Sequence, residues 1–441
     1  MSQGHAGATS ADDPYVPGHG NGGYAVRHYD LELDYKVDSN RLVGRARVTA
    51  VATEALSRFS LDLAGLDADK VGVNGTRAAK FVQRDGKLHV TPAAAVPGGA
   101  ALVVEVRYSG TPRPVAGGWG AVGWEELTDG VVVASQPDGA PSWFPCNDHP
   151  ADKASYGIAV TTDSPYTVVA NGALLGRRVR ASRTTWTYEQ REPMPTYLAA
   201  VQIGQYDLVH TAAVPVPQIG AVPARLRARF DHDFARQHEM LTMFGDLFGP
   251  YPFGSYTVVV TDDALEIPVE AQGMSTFGAN HVDGRRGSER LVAHELAHQW
   301  FGNSLTVARW QHIWLNEGFA CYAEWLWSEG SGGPTAAALA KLAHKGLAAL
   351  RQDLVVADPG PDLMFDDRLY KRGALTLHAL RVELGDETFF ALLRAWTTAF
   401  RHGNVVSADF EGLATRTAGR ELGPLFDAWL RARALPPLPR G

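Results

Sequence analysis

The chain has 441 residues, 45% of them hydrophobic and 20% charged, with 41 basic against 48 acidic side chains. This is the make-up of a soluble globular protein too long for one ordinary core, so two or three domains are expected. A net charge of −7 with no dense basic cluster offers nothing to nucleic acid or an anionic membrane, and two isolated cysteines, Cys146 and Cys321, exclude a disulfide framework and a cysteine-built metal site.

Residues 1–22 are Gly-rich and polar and read as a loose N-terminal arm. They carry no basic stretch followed by an apolar one, so no signal peptide is expected. No apolar run approaches the roughly 20 residues needed to span a bilayer. A reduced, cytoplasmic setting and a monomer are the default expectations. From residue 23 the pattern has period two: Tyr29, Leu31, Leu33 and Tyr35 alternate with Asp30, Glu32 and Asp34, a strand with one wet face. Residues 42–52 and 102–108 continue in that style, and Asn74-Gly75 signals a hairpin turn. Short strands persist over 156–171 and 183–188, and 197–205 reads as the last. No long amphipathic helix precedes residue 208. An all-β domain over 23–207, a saddle or sandwich of two sheets, is the expectation, with the second domain over 208–441.

In that second part, 233–248 reads as a helix, 251–261 supplies a strand, and Met274–Phe277 supplies the core strand before the next helix. Residues 291–303, LVAHELAHQWFGN, contain His294, Glu295 and His298 as H-E-x-x-H. Residues four apart on a helix share a face, so both imidazoles address one point, while Glu295 reaches the same region without being a ligand. Ser288 can cap this helix and Gly302-Asn303 can stop it. The pair suits zinc, with Glu295 as general base. Glu317 follows His298 by nineteen residues, inside an apolar helix over 314–329 that also carries Glu324. His294, His298 and Glu317 supply the three protein ligands of a catalytic zinc, whose fourth position is left to water. His312 lies nearby, but the set is already filled. The remainder reads as helices over 335–354, 366–384, 387–402, 407–418 and 425–434, packed as a bundle.

HELAHQWFGN followed by WLNEGFACYAE resembles the gluzincin zinc aminopeptidases of the M1 family (aminopeptidase N and leukotriene A4 hydrolase-like), whose pattern is H-E-x-x-H, eighteen residues, then Glu. The resemblance covers roughly residues 23–434 and implies an all-β N-terminal domain followed by a thermolysin-like, mainly α, zincin catalytic domain. Three further segments match. Gln136 precedes the run Phe144-Pro145-Cys146-Asn147-Asp148-His149-Pro150, which implies that Gln136 contacts the first substrate residue; His149 stands where the family more often has Glu. Glu270 aligns with the Glu that binds the free α-amino group, although Ile267, Pro268 and Ala271 depart from the family's small residues and Asn. Tyr370, in Tyr370-Lys371-Arg372-Gly373, aligns with the Tyr that stabilises the oxyanion, with Arg372 in place of Lys.

The resemblance implies a zinc-dependent aminopeptidase, one Zn(2+) per chain, acting on peptides with a free N-terminus. A zinc endopeptidase or bifunctional hydrolase on the same scaffold, and a non-catalytic peptide-binding module, are the alternatives. Larger family members carry a further helical domain over the active site. This sequence ends before one, which leads to the expectation of a more open cleft.

Overall fold

A computed structural model describes residues 4–439. The strand Tyr24–Lys36 shows how the first half is built. Tyr29, Leu31, Leu33 and Tyr35 are buried while Asp30, Glu32 and Lys36 are exposed, and a register shift between Val26 and His28 keeps Tyr24 and Val26 on the same buried face. This strand is central in an eight-stranded sheet. It pairs antiparallel with Arg41–Ala52 and parallel with Ala154–Asp163. At about 3.3 Å per residue such a strand spans some 40 Å, more than one small sheet covers.

Its buried face is accordingly shared by two smaller sheets. At one end Tyr24 meets Phe59 of a four-stranded sheet, and at the other Tyr35 meets Trp124 of a five-stranded one. The first half thus has three sheets where two were expected. Between them a buried aromatic group of Tyr29, Phe144, Tyr156 and Trp143 fills the centre. The Asn74-Gly75 turn forms as predicted, both residues at positive φ between paired Val73 and Thr76.

The second half opens with a five-stranded mixed sheet that includes Gln218–Val222, Tyr256–Val260, Met274–Phe277 and, at its edge, Val269–Ala271. Gln218–Val222 was not anticipated from the Pro-rich 214–223. Helices follow: Gln237–Phe248, Glu289–Ala297, Trp314–Gly330, Ala336–Ala348, Asp367–Leu384, Asp386–Ala399 and Ser407–Ala418. Two helices expected from periodicity are cut short. The one over 335–354 ends at Ala348, and 425–434 becomes a single turn plus the wide turn Asp427–Arg431. Just past the wide turn the chain meets Arg372, which is buried and whose guanidinium donates to the carbonyls of Arg433 (2.7 Å) and Ala434 (3.1 Å) and, from the other side, of Leu354 (3.1 Å). Among the described residues no helix is long and apolar enough to cross a membrane.

The expectation of a loose arm is corrected over residues 4–22. His5–Ala6 pairs with the strand Leu56–Asp62, and Tyr15 and Val16 are buried. Asp13 accepts from the Trp310 backbone N–H at 3.0 Å, and the Tyr15 hydroxyl donates to Asp358 and accepts from the Gly360 N–H at 2.8 Å. Asn21 donates to Asp62 at 2.7 Å, and His19 sits 3.2 Å from Asp148. Gly20 serves close packing: at positive φ, a Cβ there would meet Ala11 at 2.6 Å. Residues 1–3 lie outside the described residues.

Candidate active site

The helix Glu289–Ala297 begins at Ser288. The Ser288 hydroxyl makes no capping bond; its carbonyl instead accepts from Leu291 at 2.8 Å and Val292 at 3.1 Å. The turns that follow the helix are tied to the edge of the five-stranded sheet by two polar side chains. Gln299 accepts from the Gly273 N–H (2.8 Å) and donates to the Ala271 carbonyl (3.2 Å), and Asn303 donates to the same carbonyl (2.9 Å). These bonds fix Glu270 opposite the H-E-x-x-H face.

On that face His294, His298 and Glu317 come together, 8%, 1% and 2% exposed. Glu317 Oε2 is 3.5 Å from Nε2 of His294 and 3.5 Å from Nε2 of His298, too long for strong hydrogen bonds. A tetrahedral ion at the usual zinc–ligand distances of about 2.1 Å sets its donors about 3.4 Å apart, so the spacing fits a zinc ion among the three. The other ring nitrogens are engaged. His294 Nδ1 lies 2.7 Å from Glu324, and His298 Nδ1 lies 3.0 Å from the Phe301 carbonyl. Each imidazole is therefore oriented with Nε2 towards the common point.

Sequence reasoning had placed Glu324 only as a neighbour on the second helix. Its position two turns after Glu317, hence on the same face, was the available signal. Arg290 holds Glu324 in turn at 2.9 Å. Burial opposes charge on His294, yet the Glu317 and Glu324 carboxylates raise it to about 10; His298, likewise desolvated, is raised to about 9 beside Glu270 and Glu317. A nest of carboxylates that draws protons onto both imidazoles is a nest built for a cation.

Glu295 is 4% exposed, and its Oε2 has no hydrogen-bond partner. Burial pushes its carboxyl up to about 7, against the pull of the two imidazoles. Glu270 is also buried, which raises its pKa. Its Oε1 accepts from Gln136 Nε2 at 2.8 Å. Ligand atoms of Glu270, Glu295 and His298 all lie within 4.8 Å of one another. Of the departures before Glu270, Ile267 points elsewhere, being 66% exposed, whereas Pro268 is buried. Tyr370 enters from the helix Asp367–Leu384, its ring nearly parallel to that of His294 at 6.1 Å. Burial and then the Glu317, Glu270 and Glu295 carboxylates raise its phenol well above the usual range, so it remains a donor. The structure thus gathers all seven residues singled out in the sequence: Gln136, Glu270, His294, Glu295, His298, Glu317 and Tyr370.

A β-rich domain followed by a helical one, with an H-E-x-x-H helix facing a glutamate on the next long helix, is the architecture of a gluzincin-type metallopeptidase. Family models agree on both halves. The peptidase M1 N-terminal domain matches residues 25–198 and the peptidase family M1 domain matches residues 232–429, and the chain belongs to peptidase family M1. A leucyl aminopeptidase of Saccharolobus solfataricus is 25% identical over 438 residues, covering 93% of this chain and 54% of that protein. Aminopeptidase N of Lactococcus lactis is 28% identical over 320 residues, covering 66% of this chain and 38% of its own. The chain spans about half the length of the curated relatives it matches along most of its length. The crystal structure of an M1 zinc metallopeptidase from Deinococcus radiodurans superimposes with a TM-score of 0.89 at 32% identity, covering 98% of this chain and 99% of that one. A point-substituted form of that enzyme has been solved with a Tyr-Ser-Ala substrate.

Proposed function

We propose that this protein is a zinc aminopeptidase that hydrolyses the first peptide bond of peptides with a free N-terminus. One observation carries the exopeptidase part: a buried carboxylate, Glu270, oriented by Gln136 and set within reach of Glu295 and His298. An α-ammonium group satisfies that buried charge and fixes the register at one residue from the end. The relatives named aminopeptidases, and the neighbour solved with a tripeptide, support the same substrate class.

His294, His298 and Glu317 would hold the zinc, which when bound supplies Lewis acidity towards the scissile carbonyl and towards water. Glu295, free of other hydrogen bonds and raised to about 7, takes the proton of the attacking water and returns it to the leaving amine. Tyr370 donates its O–H to the oxyanion that develops on the carbonyl oxygen, a contribution of about 3 kcal/mol for one such donor. Glu324 keeps His294 in one tautomer and orientation.

The test is a panel of aminoacyl fluorogenic amides, each with and without N-acetylation, assayed before and after chelation with zinc added back. Cleavage of free-amine substrates only, lost on chelation and restored by zinc, is the expected result. Cleavage of the acetylated set would replace this assignment by an endopeptidase.

A further inference from the structure

A hairpin of the N-terminal half reaches over to the catalytic half beside this site. Its strands, Val115–Gly117 and Gly120–Leu127, pack on the turn that follows Gln136. The Trp124 N–H donates to Ser142 Oγ at 2.9 Å, and a Cβ on Gly123 would meet Ser142 Oγ at 2.3 Å and the Gly139 carbonyl at 2.6 Å. The base of the hairpin is thus fixed to the wall that carries Gln136.

Its tip carries Trp119, half-buried. The indole Nε1 donates to the Pro361 carbonyl at 3.0 Å, and the ring meets Phe365 edge-on at a centroid distance of 6.0 Å. Phe365 lies five residues before Tyr370, directly before Asp366, which caps the Tyr370 helix by accepting from the Arg368 N–H at 2.9 Å. Trp119 therefore bridges the two walls of the cleft, the Gln136 wall and the Tyr370 wall. The bridge thus joins the segment that follows Gln136, whose side chain is bonded to Glu270, to the segment that leads into the Tyr370 helix.

We propose that Trp119 is a specificity-determining residue that closes the cleft beyond the first substrate residue. It admits the side chains of ordinary amino acids and rejects a first residue whose side chain continues past them. This rests on the aminopeptidase assignment above. Glu270 selects the charge at the end of the chain, and the Trp119 bridge limits how far anything reaches past it. The far side is left for the rest of the peptide.

The experiment compares wild type, Trp119→Ala and Trp119→Phe on two free-amine amides, alanyl and Nε-dansyl-lysyl. In Trp119→Ala the ratio of kcat/KM for dansyl-lysyl over alanyl substrate should rise about tenfold or more, chiefly through KM, as for a pocket that has lost one wall. Trp119→Phe keeps a ring against Phe365 and should hold the ratio near that of wild type. An unchanged ratio in Trp119→Ala, with alanyl amide cleaved, overturns the proposal and leaves the aminopeptidase assignment standing. A wild type that cleaves neither amide overturns both.

Discussion

The helices bearing Glu317 and Tyr370 cross at Gly318 and Gly373. A Cβ on Gly373 would lie 2.8 Å from the Gly318 Cα, and one on Gly318 would lie 2.9 Å from the Gly373 Cα. Non-bonded carbons rest at about 3.5–4.0 Å, so Gly373→Ala must part the helices by about 1 Å. Two stability terms oppose each other. Replacing glycine by alanine inside a helix gains about 1 kcal/mol, and overpacking a tight contact costs about 1–3 kcal/mol. The net change is a loss of at most about 2 kcal/mol. Activity has no such offset. Tyr370 is one turn before Gly373, and Glu317 adjoins Gly318, so a shift of about 1 Å separates groups that must act on one carbonyl and costs about 100-fold. Measured as kcat/KM on an aminoacyl amide beside a thermal melt, Gly373→Ala should lose about 100-fold with only a small drop in midpoint. Gly346→Ala is the control. That helical glycine has nothing within 4 Å of an added Cβ, so stability should rise by up to about 1 kcal/mol with activity unchanged. A Gly373→Ala protein with wild-type kcat/KM would refute the view that this close crossing sets the distance between Glu317 and Tyr370.

Three more outcomes are expected. Glu295→Gln should cut kcat by at least about 100-fold while retaining zinc by elemental analysis; turnover near wild type would remove Glu295 from the role of base. Glu324→Ala frees the ring of His294 and should weaken zinc affinity about 10–100-fold in a chelator competition, and unaltered affinity would show that the 2.7 Å contact orients nothing. His19 gives a pH dependence. Burial opposes its charge, but Asp148, with Asp62 and Asp138, raises it from 6.5 to about 9. A raised folded-state pKa means the contribution, on the order of 3 kcal/mol, is fully present below pH 6.5 and lost as pH rises through 9. Urea titrations between pH 6.5 and 9.5 should show a decline in wild type that His19→Gln flattens; equal slopes would dismiss the ion pairs of His19.

What could be read from the sequence was local. The alternation of Tyr29 to Tyr35, the Asn74-Gly75 turn, the strand Met274–Phe277 and the helix Ser407–Ala418 depend on neighbours a few residues away, and they formed where periodicity put them. H-E-x-x-H and Glu317 were legible because helical spacing converts sequence into geometry. Glu270 was selected over Glu266 only by resemblance; its physical distinction, burial beside Gln136, is a contact across 134 residues. Asn303 was read with Gly302 as a helix stop, but the helix ends earlier, at Ala297, and neither Gln299 nor Asn303 showed in sequence that it clips a sheet edge. The end of the chain was misread for a similar reason. The periodicity of 425–434 is helical and helical turns run to Arg431, but the carbonyls beyond are taken by Arg372, which is brought in by another helix.

The segment of residues 4–22 gives the molecule a timetable. Asp13 finds Trp310 across 297 residues, and Tyr15 finds Asp358 across 343. At synthesis rates of about 5–20 residues per second the partners of Asp13 and Tyr15 emerge roughly 15–70 s after them. The β sheets can assemble in that interval, since their strands pair among themselves. Docking of residues 13–15 can be completed only after Asp358 and Gly360 have been made. It is then a late step of assembly, and it ties the first residues of the chain to the part that carries the zinc-ligand helices.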